Sequence, residues 1–168
     1  RGFVEFYGHL GGGHSYLPEK LTIQRSQDAK NESDSYRTWL LKNYQSVPPR
    51  KYLTDDFSDE AVAFIERNRD WPFFLFVSYN APHTPLEATN KYLKRFPEIK
   101  DAKRKTYAAM VSAVDDGVGR MLSELKKFNL EENTIIAFLS DNGGPSGKNA
   151  SNNEPLRGNK GDVWEGGF

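Results

Sequence analysis

Thr134-Ile135-Ile136-Ala137-Phe138-Leu139 runs straight into Ser140-Asp141-Asn142-Gly143-Gly144. A short, unbroken apolar run fits a strand buried on both faces, as in a parallel sheet. The polar, glycine-ended segment behind it is loop chemistry at a strand's carboxyl end. A second run of the same kind lies upstream, Phe73-Phe74-Leu75-Phe76-Val77-Ser78-Tyr79, and it too ends in a polar loop, Asn80-Ala81-Pro82-His83-Thr84-Pro85. Two prolines there cannot continue a ladder.

Helical periodicity fills the space around these runs. Phe57, Ala61, Phe64 and Ile65 recur at helical spacing behind a cap at Thr54 or Asp55, predicting a helix that ends near Arg69. Tyr107, Met110, Val111, Val114, Val118, Met121, Leu122 and Leu125 predict a long helix over 101–127. Within it, Asp115-Asp116 interrupt the apolar stripe and read as solvated, or as capping a neighbouring element. The order helix, strand, long helix, strand predicts an α/β domain with a mostly parallel sheet flanked by helices. Residues 24–35 are polar and read as an exposed excursion. Residues 36–44 lack clean periodicity, and Pro48-Pro49 breaks any helix there.

The composition narrows the function. The chain has 168 residues, about one domain, and only 37% of them are hydrophobic. The 23 Lys and Arg balance 23 Asp and Glu, which gives no support for nucleic-acid binding or a polybasic membrane anchor. No apolar run is long enough for a membrane span. Cysteine is absent, so disulfides, zinc–thiolate sites and a cysteine nucleophile are excluded within this segment.

Ligands of open α/β sheets bind beyond the carboxyl ends of the strands, which selects the two loops already quoted. Asp141 and Asn142 offer oxygen ligands suited to a hard cation such as Ca²⁺ or Mg²⁺; the same residues are also good turn formers. His83, set between two prolines, could bind an oxyanion or donate a proton, or simply cap its turn. Lys160, in Leu156-Arg157-Gly158-Asn159-Lys160-Gly161-Asp162, could meet an anion or remain solvated. Gly11-Gly12-Gly13-His14-Ser15 could line a pocket or merely connect elements. Asn31-Glu32-Ser33 and Asn149-Ala150-Ser151 match the glycosylation sequon, a match that arises often by chance.

Four segments together resemble the sulfatase family. Arg1-Gly2-Phe3-Val4-Glu5-Phe6-Tyr7-Gly8 looks like the segment before its substrate loop. Tyr79 to Pro85 resembles its histidine loop, Leu139 to Gly144 its metal loop, and Leu156 to Gly167 its lysine loop. The order and spacing also fit, over nearly the whole chain, and the pattern is most similar to bacterial arylsulfatases related to the N-acetylgalactosamine-6-sulfatases. The resemblance implies an alkaline-phosphatase-like α/β fold. Residues 1–168 would be the central part of the catalytic domain, cut at both ends, with 24–50 a variable, insertion-like segment.

It also implies hydrolysis of a sulfate ester by a hydrated formylglycine, with a divalent cation, usually Ca²⁺, holding the nucleophile and a sulfate oxygen. Asp141 and Asn142 match two metal ligands. His83 and Lys160 match catalytic, sulfate-contacting residues, and Ser15 or His14 falls near a substrate-touching position. The nucleophile motif Cys/Ser-x-Pro-Ser-Arg and two further metal-binding aspartates do not occur in these residues and are expected upstream, so the segment alone should be inactive. The substrate class is a sulfate ester, such as a sulfated polysaccharide or glycosaminoglycan, and the location is periplasmic or secreted, or lysosomal in a eukaryote. The alternatives are a phosphodiesterase or phosphonate hydrolase of the same superfamily, and a non-catalytic binding module with the same fold.

Overall fold

The computed structural model describes residues 2–168; the first residue of the Arg1–Gly8 segment therefore lies outside it. Strand β1 is Tyr7–Gly8, and the short helix α1 is Glu32–Ser35. Strands β2 (Leu40–Lys42) and β3 (Gln45–Val47) follow as a hairpin. Helix α2 is Leu53–Asn68, α3 is Asn90–Leu93, α4 is Ala102–Lys127 and α5 is Ser146–Asn149.

The two long helices match the sequence patterns, and local chemistry explains their ends. Asp101 caps α4 by accepting from the Arg104 amide at 2.6 Å, and Lys126 and Lys127 sit where the helix dipole favours cations. Helix α2 begins at Leu53, without a side-chain cap from Thr54 or Asp55. Asp56 in its first turn is taken up elsewhere, accepting from the Tyr7 hydroxyl at 2.6 Å and from Arg50 Nε at 2.9 Å. This ties β1 to α2.

Helices α2 and α4 pack on each other through small residues. Ala109, Ala113 and Gly117 of α4 are buried together with Met110 and Leu125 of the expected stripe, whereas Val111 and Leu122 of that stripe are exposed. A Cβ at Gly117 would strike Ser58 Oγ and the Tyr79 hydroxyl, so the seam follows the residues that permit close approach. Tyr16, Tyr52 and Tyr92 line up across the core, with successive ring centroids 6.0 and 5.9 Å apart. Asp116 is held by Arg95 in a two-pronged pair with both distances 2.7 Å, and Asp115 is exposed.

The expected parallel sheet is the main difference. The ladders among the described residues are antiparallel, in the order β1-β2-β3. Residues 73–79 and 134–139 form no ladder. Phe74 is 73% exposed and Ile135 100%. An apolar run reports the solvent a segment avoids, but a ladder needs a partner strand, and no described residue pairs with either run. Residues 40–47, which overlap the non-periodic stretch 36–44, instead build the hairpin, with Asn43 at its turn in a left-handed φ of 55° that Asn tolerates. Residues 24–35 lie mostly on the surface.

Candidate active site

An open cavity of about 1430 Å³ is lined by three loops, together with much of residues 2–12, one face of α2 and residues 72–79. Asn80 to Thr84 form one wall, Ser140 to Gly144 a second, and Lys160 and Glu165 belong to the third. His83, Asp141, Asn142 and Lys160 therefore share one space.

The histidine loop is fixed from beneath. The hydroxyl of the fully buried Tyr16 lies 2.8 Å from the carbonyl oxygens of both Asn80 and His83, and the His83 amide donates to the Asn80 carbonyl at 2.8 Å. Desolvation pushes the Tyr16 phenol well above its ordinary range, so it remains a donor. His83 Nδ1 sits 2.7 Å from the Thr84 carbonyl. The nitrogen facing a carbonyl must carry the proton, which leaves Nε2 to meet a ligand.

Asp141 accepts no hydrogen bond among the described residues, and its carboxylate is exposed to the cavity. Asn142 Nδ2 donates to the Gly143 carbonyl at 3.0 Å, and its side-chain oxygen accepts no hydrogen bond among the described residues. A Cβ at Gly143 would strike the Gly166 carbonyl, so this loop and the lysine loop touch backbone to backbone. Lys160 makes no ion pair among the described residues and is exposed. Its loop is braced by the Asp162 amide donating to the Asn159 carbonyl, by the Asn159 amide donating to Asp162 Oδ2, and by Arg157 stacked 4.0 Å over the Trp164 ring.

His14 and Ser15 stand apart from these four. His14 is fully buried, with Nδ1 2.8 Å from the Ser15 carbonyl and Nε2 2.9 Å from the Thr38 carbonyl. A neutral ring can donate to only one of them. Burial, the largest influence, lowers the His14 pKa against the opposing pull of the two carbonyls and Glu87. Ser15 is also buried and borders a separate surface depression.

Three residues of the site carry no sequence signal. His9 lines the cavity and stacks on His14 with centroids 4.6 Å apart. Tyr16 is legible only as an aromatic in a glycine-rich stretch. Asn153, in a polar run, links the Asp141 and Lys160 loops through its side chain. Of the two sequons, Asn149 is buried, with its oxygen accepting from the Ser151 amide, and Asn31 is exposed but caps α1.

Three loops thus turn carboxylate and carboxamide oxygens, an ammonium without an ion pair among the described residues and an imidazole toward one opening. The Sulfatase family model matches residues 1–168, and the chain belongs to that family. Mouse arylsulfatase J is 43% identical over 170 residues, covering 100% of this chain and 27% of the relative. An uncharacterised Escherichia coli sulfatase, YdeN, is 39% identical over 132 residues, covering 76% of this chain and 23% of its own length. The crystal structure of Ps i-CgsB in complex with k-i-k-neocarrahexaose superposes with a TM-score of 0.91 at 47% identity, covering 100% of this chain and 38% of that one. The chain thus spans about a quarter of the length of these curated relatives. The match carries the α/β class expected from the sequence.

Proposed function

We propose that this chain supplies the leaving-group and sulfate-binding side of an enzyme that hydrolyses sulfate esters of a sugar. The observation that carries this reading is the meeting of His83, Lys160, Asp141 and Asn142, from three separate loops, on one cavity. Hydrolysis breaks the S–O bond, places water's oxygen on sulfur and returns a proton to the departing alkoxide. Lys160, an unpaired ammonium, binds a sulfate oxygen as a point charge. His83 keeps Nδ1 on the Thr84 carbonyl and, when protonated, donates from Nε2 to the leaving oxygen.

Asp141 and Asn142 fit a hard cation, because both present oxygens with no competing donor among the described residues. They would hold a Ca²⁺ or Mg²⁺ ion, which when bound supplies positive charge beside the sulfate. They form only part of a coordination shell: no group of three His, Cys, Asp or Glu that could hold a metal occurs among the described residues. The nucleophile, expected as a formylglycine, also lies outside them. Ser15 and His14, both buried, support the walls of the site in this reading.

The sugar class is supported by the hexaose bound to Ps i-CgsB and by mouse N-acetylgalactosamine-6-sulfatase, 30% identical over 83% of this chain and 28% of the relative. A sulfated polysaccharide or glycosaminoglycan places the enzyme in the periplasm, outside the cell or in a lysosome. No helix among the described residues is long and apolar enough to cross a membrane.

The test is sulfate release from an aryl sulfate and from a sulfated oligosaccharide by the complete enzyme. His83→Ala and Lys160→Ala should each lower kcat/KM by about 10²–10³ with an unchanged melting temperature, the usual cost of one preorganised electrostatic contact. Near-wild-type turnover in either variant would remove that residue from the reaction.

A further inference from the structure

A second depression, about 610 Å³, borders the histidine loop at Thr84 and Pro85. That volume lies within the roughly 300–1,000 Å³ typical of small-molecule sites. Thr84, the residue after His83, borders both it and the cavity. The two spaces are therefore neighbours across a single residue. The outer wall comes from the surface segment that the sequence marks as insertion-like: Ser33, Tyr36 and Arg37.

The lining suits a saccharide. Hydroxyls come from Thr22, Ser33 and Tyr36, and the Pro85 ring adds an apolar face of the kind on which a sugar's C–H surface packs. Its charges divide unequally. Glu87 is spent, with Oε1 2.6 Å from Lys20 Nζ and Oε2 accepting from the Tyr16 amide at 2.7 Å. The Arg37 guanidinium makes no carboxylate contact among the described residues; its side chain donates to Thr22 Oγ1 at 2.7 Å and is otherwise exposed. Glu19 also borders the opening, so the lining carries two cations and two carboxylates and is not a general anion trap. One planar, unpaired guanidinium among hydroxyls matches a sugar bearing a sulfate, which it can grip with two parallel donors.

The wall is built in advance. The Ser15 amide donates to the Tyr36 carbonyl at 2.9 Å, and Trp39 Nε1 donates to the Leu21 carbonyl at 3.0 Å. Ile23 and Thr38 pair as an isolated parallel bridge. The Arg37 side chain carries none of these restraints.

We propose that this depression is the subsite for the saccharide unit next to the one whose sulfate ester enters the cavity, with Arg37 receiving that neighbour's own sulfate and Tyr36 contacting its ring. This rests on the sulfatase reading above and adds a substrate determinant to it.

The experiment uses the complete enzyme and three substrates: an aryl sulfate, an oligosaccharide sulfated only on the reacting unit, and one sulfated on the neighbour as well. Arg37→Ala should raise KM at least about tenfold on the doubly sulfated oligosaccharide alone, the scale of one lost charge-assisted contact, and Arg37→Lys should recover part of it. Tyr36→Ala should raise KM on both oligosaccharides and leave the aryl sulfate within about twofold, a change well under one tenfold step in affinity. Unchanged KM values on both oligosaccharides, or an equal loss on the aryl sulfate, would overturn the subsite. Failure of the unmodified enzyme to release sulfate from any of the three would overturn the sulfatase reading instead.

Discussion

Asn153 and Gly144 are joined by a reciprocal pair of hydrogen bonds: Asn153 Nδ2 donates to the Gly144 carbonyl at 2.7 Å, and the Gly144 amide donates to Asn153 Oδ1 at 2.9 Å. The same Nδ2 donates to the Gly158 carbonyl at 3.0 Å. Gly144 is two residues from Asn142 and Gly158 two residues from Lys160, so one carboxamide sets the spacing between the oxygen donors and the ammonium. Asn153→Asp keeps an acceptor for the Gly144 amide but turns lone pairs toward two carbonyls. It should lower kcat on an aryl sulfate by about 10-fold or more, since small displacements in an active site are amplified in rate. If the proposed cation binds at Asp141 and Asn142, the Ca²⁺ concentration for half-maximal rate should rise with it. A variant with unchanged kcat and Ca²⁺ dependence would show that the link does not position the site.

Tyr16 does the same for the histidine loop. Its hydroxyl sits under the carbonyls of Asn80 and His83, while its ring belongs to the Tyr16–Tyr52–Tyr92 line. Tyr16→Phe preserves the ring, takes the hydroxyl from the His83 carbonyl and leaves the Asn80 carbonyl only the His83 amide, which should cost about 1–3 kcal/mol of stability and reduce kcat through a displaced His83. Urea unfolding and steady-state kinetics read the two effects separately. A loss of stability with unchanged kcat would assign the hydroxyl to folding alone.

The seam between α2 and α4 offers a test of packing. Gly117→Ala drives a methyl into Ser58 Oγ and the Tyr79 hydroxyl, which are themselves 2.7 Å apart. Overpacking of this kind costs about 1–3 kcal/mol, more than the roughly 1 kcal/mol that Ala gains over Gly in a helix. Ser58→Ala removes one of the two struck atoms, so the double variant should be more stable than the Gly117→Ala single. Strict additivity in thermal melts would contradict the contact.

The same seam shows what a sequence can and cannot reveal. Helix α4 is legible because 26 residues give its period many repeats and Asp101 supplies a cap. Its inner face is legible only in part: Met110 and Leu125 of the periodic stripe are buried, but Ala109, Ala113 and Gly117 are buried for their smallness rather than their hydrophobicity. Hairpin β2–β3 was hidden because its three-residue strands are too short to show alternation. The runs 73–79 and 134–139 announce burial but not a partner, and a ladder exists only with one. Within the site, His83, Asp141 and Lys160 are readable as loop residues behind apolar runs or among glycines. Asn153 acts through the backbone of Gly144 and Gly158, nine and five residues away, and Tyr16 through a carbonyl 64 residues away; no periodic pattern encodes either.

His9 gives a pH signature with a definite sign. Burial, and then the nearby His14, lower its pKa from 6.5 to about 4; burial lowers His14 as well. Between about 6.5 and 4 the unfolded chain therefore holds protons that the folded one refuses. Stability is fully present above the unfolded value and is lost as pH falls through this window. The lowered carboxylates act at lower pH. Asp59 sits between Lys51 and Arg120, which outweigh its burial, and Asp116 pairs with Arg95; both contribute losses only as pH falls below their ordinary value of 3.8. His9 stacks between His14 and Phe57, with centroids 4.6 and 6.2 Å away, so His9→Phe keeps an aromatic ring in that stack and removes the titration. The complete enzyme should melt at progressively lower temperature from pH 7 to 4.5, and His9→Phe should flatten part of that slope. Superimposable melting profiles for the two proteins would show that the His9 ring is protonated as readily in the fold as outside it.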